Sequence, residues 1–234
     1  MTKVLAINGS PNMEKGNTHL ILEPFLEGMR SAGAEVDLIF SRKLKIQTCI
    51  GDFQCWYEKV GECIYKDDME EVYAKARAAD IWVLATPIYL PLPGRFQNLL
   101  NRLMPLFEPV LEVRNSRTRA KFHDDVKVSK IVLITSGGWW EKENADVVVH
   151  IVKEITENCT VSFVGPVLRP HSQYLRTNKE KAAQVFEAAR TAGRQVIEKG
   201  AISPEVLDSL AQPLISLDDA IDSDNKSYLK ARDS

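Results

Sequence analysis

Short apolar runs alternate with segments whose apolar residues recur every three or four positions. Val4-Leu5-Ala6-Ile7 is the first run, and Asn8-Gly9-Ser10-Pro11 stops it. Leu20, Ile21, Leu22, Phe25, Leu26 and Met29 then share a helical face, which predicts a helix over 18–32 with Gly33 just past its end. Residues 36–40 read as a second strand. The same patterns predict a helix over 68–79, a strand over 81–85 and a helix carrying Phe96, Leu99, Leu100 and Leu103. They continue with a strand over 131–134, a helix over 144–158, a strand over 161–164 and a long amphipathic helix over 179–199. Residues 45–66 and 106–127 have no clear period and read as excursions.

Five strand–helix units in succession predict an α/β fold, with parallel strands and right-handed crossover helices on both faces. The strands are almost continuously apolar, as in a sheet buried on both sides. The expected organisation is one domain over 1–200, followed by a C-terminal helix and arm over 201–234. Three proline- or glycine-rich stretches lie at the predicted carboxyl ends of strands one, three and four.

Composition narrows the classes. The 234 residues suit one large α/β domain, and 44% hydrophobic with 26% charged residues argues against global disorder. With 30 Lys+Arg against 32 Asp+Glu the net charge is −2, so nucleic acid is not an expected partner. No apolar run approaches the roughly 20 residues of a membrane span, and MTKVLAINGS has no signal-peptide pattern. A cytoplasmic location is therefore expected, with the four Cys as reduced thiols or metal ligands.

The first loop runs Gly9-Ser10-Pro11-Asn12 to Gly16-Asn17-Thr18, where a helix starts. Backbone N–H groups at a helix start, with Ser and Thr hydroxyls and Asn amides, make an anion site suited to a phosphate monoester. A plain tight turn with Asn17 or Thr18 as N-cap is the alternative. Neither G-x-G-x-x-G nor G-x-x-x-x-G-K-[ST] is present, which argues against a nucleoside triphosphatase.

The other two loops read Thr86-Pro87-Ile88-Tyr89 and Thr135-Ser136-Gly137-Gly138-Trp139. A loop stiffened by Pro, with an apolar side chain, an aromatic and free amides, suits a flat heteroaromatic ring. Gly137 and Gly138 let the backbone approach a ligand closely. Burial of Tyr89 and Trp139 at a subunit contact is the alternative. Open α/β sheets bind ligands outside the carboxyl ends of their strands, where all three loops fall.

Gly-Ser-Pro-Asn…Gly-Asn-Thr, Thr-Pro-Ile-Tyr and Ser-Gly-Gly together resemble the flavodoxin-like NAD(P)H-dependent FMN reductases, over about residues 3–170. More narrowly, the chain is similar to the iron–sulfur flavoprotein branch. The resemblance implies a three-layer sandwich around a five-stranded parallel sheet of order 2-1-3-4-5. It implies that Ser10, Asn12, Asn17 and Thr18 hold the FMN phosphate, that Pro87, Ile88 and Tyr89 meet the isoalloxazine, and that Ser136, Gly137 and Gly138 close over it. Trp139 and Tyr89 are expected ring contacts, and Trp56 a lid. It further implies an oxidoreductase taking electrons from NAD(P)H or a reduced carrier, as a homodimer or homotetramer. The acceptor would be a quinone, a flavin, a nitro- or azo-aromatic or a protein. An electron carrier without a dedicated substrate is the rival. No catalytic side chain is expected, because the flavin carries the chemistry. Arg102 matches a helix Arg of this branch and reads as a solvated or interface salt bridge.

Cys49, Cys55 and Cys63 crowd into fifteen residues, where that branch carries four cluster-binding Cys. Asp52 stands at the second position. A [4Fe–4S] cluster prefers four thiolates, so the expectation is reduced Cys shaping a loop and no metal. Were a cluster present, Cys49, Cys55 and Cys63 would be its ligands. Other chemistries of the fold lack their residues. No Cys has Arg six positions on, strand three ends in Thr86 rather than an acceptor Asp, and the four His show no ligand spacing.

Overall fold

A computed structural model describes residues 1–233. In chain order the strands are β1 (Lys3–Asn8), β2 (Glu35–Phe40), β3 (Ile81–Pro87), β4 (Glu112–Arg114), β5 (Arg117–Arg119), β6 (Lys130–Ser136) and β7 (Ser162–Arg169). The helices are α1 (Asn17–Ser31), α2 (Gln54–Tyr57), α3 (Met69–Ala78), α4 (Gly94–Asn101), α5 (Asp146–Cys159), α6 (Lys179–Lys199), α7 (Pro204–Ala211) and α8 (Leu217–Arg232). The main sheet has the order β2-β1-β3-β6-β7 and is parallel throughout. With the β4–β5 hairpin set aside, this is the expected order 2-1-3-4-5.

Alternate strand residues serve opposite faces. Val4, Ala6 and Val83 pack against α1 and α6, while Leu5, Ile7, Trp82 and Leu84 pack against α3, α4 and α5. Both faces are dry, which is why the strands read as continuous apolar runs. Complete burial of a side chain such as Phe25 contributes about 1.5–3 kcal/mol.

Helices α1 and α6 cross at two glycines. A Cβ built on Gly193 would stand 2.0 Å from the Phe25 carbonyl oxygen, and one on Gly28 would stand 2.0 Å from that of Arg190. Only hydrogen fits at either crossing, so α1 is held at a fixed height and its N-terminus is placed beside the ends of β1 and β3.

Two segments add detail to the expected outline. Within 106–127 lies the β4–β5 hairpin, turned by Asn115 and Ser116 with φ of 49° and 59°. Arg114 ties it to α5 by donating to the carbonyls of Asn158 and Glu157. Beyond Gly200 the chain forms α7 and α8. Leu210, Leu214 and Ala220 anchor them in the core on the α1–α6 side, and α8 runs on to Arg232 as an exposed helix. Among the described residues, no helix is long and apolar enough to cross a membrane.

Candidate functional site

The β1–α1 loop makes a compact cup. Ser10 N–H donates to Asn8 Oδ1 at 2.8 Å, and Asn12 N–H to Ser10 Oγ at 3.3 Å. Gly16 is the N-cap of α1 and offers no capping side chain. The N–H groups of Asn17 and Thr18 find no partner among the described residues. Two amides, the Ser10 hydroxyl and the unengaged Asn12 amide thus surround the positive end of a 15-residue helix. Glu14, the carboxylate of this loop, is paired with Lys43 at 2.8 Å. This donor set fits a phosphate monoester.

Two of the predicted phosphate residues make contacts elsewhere in the protein. The Thr18 and Ser136 hydroxyls lie 2.7 Å apart and buried, joining the first loop to the end of β6. The Asn17 side chain is spent on protein: Nδ2 donates to Ser172 Oγ at 3.4 Å, and Oδ1 accepts from Arg176 Nε at 3.0 Å. Asn17 therefore offers its backbone N–H, while its amide ties α1 to the segment after β7.

The two ring loops meet each other. Pro87 pairs in register with Ser136, and Ile88 N–H donates to the Ser136 carbonyl at 3.0 Å. Tyr89 N–H is spent on the Pro91 carbonyl, and Gly137 N–H on that of Arg169. The amides of Gly138 and Trp139 at this edge find no partner among the described residues. A Cβ on Gly137 would stand 3.1 Å from Ile88 Cδ1, so the glycine lets the loops close on each other.

A cavity of about 270 Å³ opens here. Ile88, Tyr89, Gly137, Gly138 and Trp139 form one side, and Thr135, Leu168 and Arg169 form its back. The phosphate-loop residues and Ser136 are outside its walls, and the segment leading into α5, with Glu141, Lys142 and Ala145, closes its far side. Thr135 Oγ1 is buried without a partner in this wall, the kind of orphaned group a polar ligand satisfies. Tyr89, Leu90 and Trp139 at the mouth are 51%, 100% and 75% exposed.

Residues beyond the motifs shape the back wall. Arg169 is buried with no acidic partner among the described residues, and it donates to the carbonyls of Pro170, Leu210 and Gln212. Burial lowers its pKa to about 10. His171 stacks on Trp140 with ring centroids 4.5 Å apart and 16° between planes, and its Nε2 accepts the Leu214 N–H. Burial, then the neighbouring Arg169 charge, lowers its pKa to about 4, so the ring is neutral at pH 7. These two groups bolt α7 and its trailing loop to the site. A lone Arg and His in a sequence carry no signal of this.

The cysteine loop lies apart from the cavity. Cys49, Asp52, Cys55 and Cys63 face a gap of about 20 Å³, room for one water, beside Arg102 and Tyr65. Among the described residues no group of Cys, His, Asp or Glu is arranged to hold a metal ion. The residues as placed do not fit an iron–sulfur cluster. Cys55 is pushed up by burial and then by Cys63 and Asp52, so it stands as a thiol in this loop. Trp56 is no lid: its indole N–H donates to the Met104 carbonyl at 3.2 Å, and it packs with Phe53 and Tyr57.

Arg102 corrects its expectation. It is a salt bridge, but a buried one, with Nη1 2.9 Å and Nη2 3.1 Å from the Asp67 carboxylate and Nη1 2.8 Å from the Gln47 carbonyl. Burial alone would raise the Asp67 carboxyl. The Arg102 fork and the N–H groups of Gln47 and Met69 outweigh it and hold the carboxyl below the usual range. The pair clamps the base of the cysteine loop to α4.

Comparison with known proteins places this geometry. Over 101 residues the chain is 39% identical to an iron–sulfur flavoprotein of Archaeoglobus fulgidus, covering 43% of this chain and 48% of that one. It is 37% identical over 101 residues to one of Methanocaldococcus jannaschii, covering 43% and 50%. The chain spans about half the length of the curated relatives it matches. Among solved structures it resembles an NAD(P)H:quinone oxidoreductase of Methanothermobacter marburgensis, with TM-score 0.59, 14% identity and coverage of 83% and 98%. It also resembles an FMN-dependent NADH-azoreductase of Bacillus anthracis, with TM-score 0.60, 14% identity and coverage of 85% and 100%. At that identity these two establish the fold. The model of the NADPH-dependent FMN reductases matches residues 2–122, just over half of the sequence, and takes in the phosphate loop and the β3 loop. The chain belongs to the NADPH-dependent FMN reductase family.

Proposed function

We propose that the chain is an FMN-dependent oxidoreductase that takes a hydride from NAD(P)H and delivers the electron pair to a small-molecule acceptor. The observation that supports this best is the joining of the uncapped α1 N-terminus to the ring loops through Thr18 and Ser136. One cup suits a phosphate, the loops at the ends of β3 and β6 suit a flat ring, and a hydroxyl pair ties the cup to the second of those loops. Bound there, FMN supplies hydride acceptance from the nicotinamide and electron transfer to the acceptor.

The protein's own work is placement. The Asn17 and Thr18 amides, the Ser10 hydroxyl and the Asn12 amide bind the phosphate. Pro87, Ile88 and Tyr89 meet the ring, and the Gly138 and Trp139 amides donate to its edge. Leu168 and the Ile88 side chain exclude water from behind. No side chain is required as a general acid, and none is assigned a catalytic role. A quinone, a free flavin or a nitro- or azo-aromatic matches the apolar, aromatic mouth, and a protein acceptor is the other class.

The apolar side chains of Tyr89, Leu90, Trp139 and the half-exposed Val147 ring that mouth. A contiguous apolar patch of this kind marks an interface, and a second copy of the chain covers it in the active homo-oligomer. The test is a Ser10→Ala, Thr18→Ala double variant, which removes the Ser10 donor and the hydroxyl that ties the start of α1 to Ser136, and so loses FMN while staying folded. Full retention of FMN contradicts the phosphate assignment.

A further inference from the structure

Arg176 lies beyond the stretch matched by the family model, in the segment after β7, yet it reaches the phosphate cup. Its Nε donates to Asn17 Oδ1 at 3.0 Å and its Nη2 to the Lys15 carbonyl at 2.5 Å. It makes no ion pair with any carboxylate among the described residues. An exposed guanidinium held by two hydrogen bonds, with no counter-ion, stands beside a helix N-terminus that no side chain caps. The acid of the loop, Glu14, is already neutralised by Lys43, which leaves Arg176 and Lys15 as the cations at the cup without an ion pair among the described residues, and of the two Arg176 is held in place by hydrogen bonds. Nη1 has no protein partner among the described residues and is free for a ligand oxygen.

We propose that Arg176 makes this site select the phosphorylated flavin, supplying the charge for the phosphate dianion and fixing the α1 N-terminus through Asn17. The inference deepens the FMN reading and rests on it. A guanidinium matches a phosphate with two N–H groups as well as with charge, which a lysine does not. Ser172 completes the device. It holds the other half of the Asn17 amide, so Asn17 cannot rotate to cap its own helix and displace the ligand. Riboflavin has no phosphate and gains nothing from either residue.

The test uses the full chain, titrated separately with FMN and riboflavin by quenching of flavin fluorescence, at low and high salt. Arg176→Gln is expected to weaken FMN about ten-fold or more and to leave riboflavin unchanged. The salt dependence of FMN binding flattens in that variant. Arg176→Lys keeps the charge, loses the fork and falls between the two. Equal losses for both flavins, or unchanged FMN binding with unchanged salt dependence, overturn the role of Arg176. A parent chain that binds neither flavin overturns the FMN reading instead, so the two failures are distinct. Because Arg176 is exposed, unchanged thermal unfolding of both variants is expected, and each is checked before titration.

Discussion

Thr18 and Ser136 stand 118 residues apart in sequence, and their hydroxyls meet at 2.7 Å with both residues buried. One opens α1 and the other ends β6, so this contact couples a helix N-terminus to a ring loop. Thr18→Val keeps the shape and removes the hydroxyl, leaving Ser136 Oγ buried without its partner. The expected cost is about 1–3 kcal/mol of stability. Adding Ser136→Ala costs less than the sum of the single changes, because the orphan is gone. Urea unfolding of the four proteins measures the coupling, and strictly additive effects would sink it.

The Arg102–Asp67 pair predicts a pH dependence. The Asp67 carboxyl titrates below the usual range in the folded chain, against about 3.9 when unfolded. Its contribution is therefore fully present above about pH 4 and is lost as pH falls through the folded value. Asp67→Asn leaves the Arg102 guanidinium buried with no counter-charge and costs about 3 kcal/mol at pH 7. The gap between parent and variant narrows as the pH drops below 4. A gap that stays constant from pH 7 to pH 3 contradicts the assignment.

The helix crossing predicts a steric penalty. Gly193→Ala places a methyl 2.0 Å from the Phe25 carbonyl oxygen, and backbone cannot rotate aside as a side chain can. The loss is at least 1–3 kcal/mol, about that of overpacking a core. Because α1 carries the phosphate cup, FMN affinity falls with stability. Thermal unfolding with parallel FMN titration tests this, and an unchanged melting temperature contradicts it.

The strands and major helices were legible because each repeats one burial pattern: Val4 to Ile7 is apolar throughout, and α1 shows its stripe from Leu20 to Met29. The three loops at the ends of β1, β3 and β6 were legible because Gly, Pro, Ser and Asn punctuate strand ends in recognisable order. What escaped depends on contacts distant in sequence. Strands β4 and β5 are three residues each and have no period to read, and the left-handed Asn115 and Ser116 are a local signal without a flanking pattern. The bond between Asn17 and Arg176 spans 159 residues, so nothing around either announces it. Arg102 read as a solvated or interface ion because no acid lies near it in sequence, and it is buried because Asp67, 35 residues away, and Tyr65 close over it.

This chain is expected to carry FMN, and its cysteine loop no cluster. The visible spectrum of the anaerobically purified full chain, with flavin, iron and sulfide analysis, tests both at once. One FMN per chain, flavin absorption bands and no stoichiometric iron or sulfide is the predicted result. Stoichiometric iron and sulfide with broad underlying absorption, or a folded chain that neither contains nor takes up FMN, would contradict it.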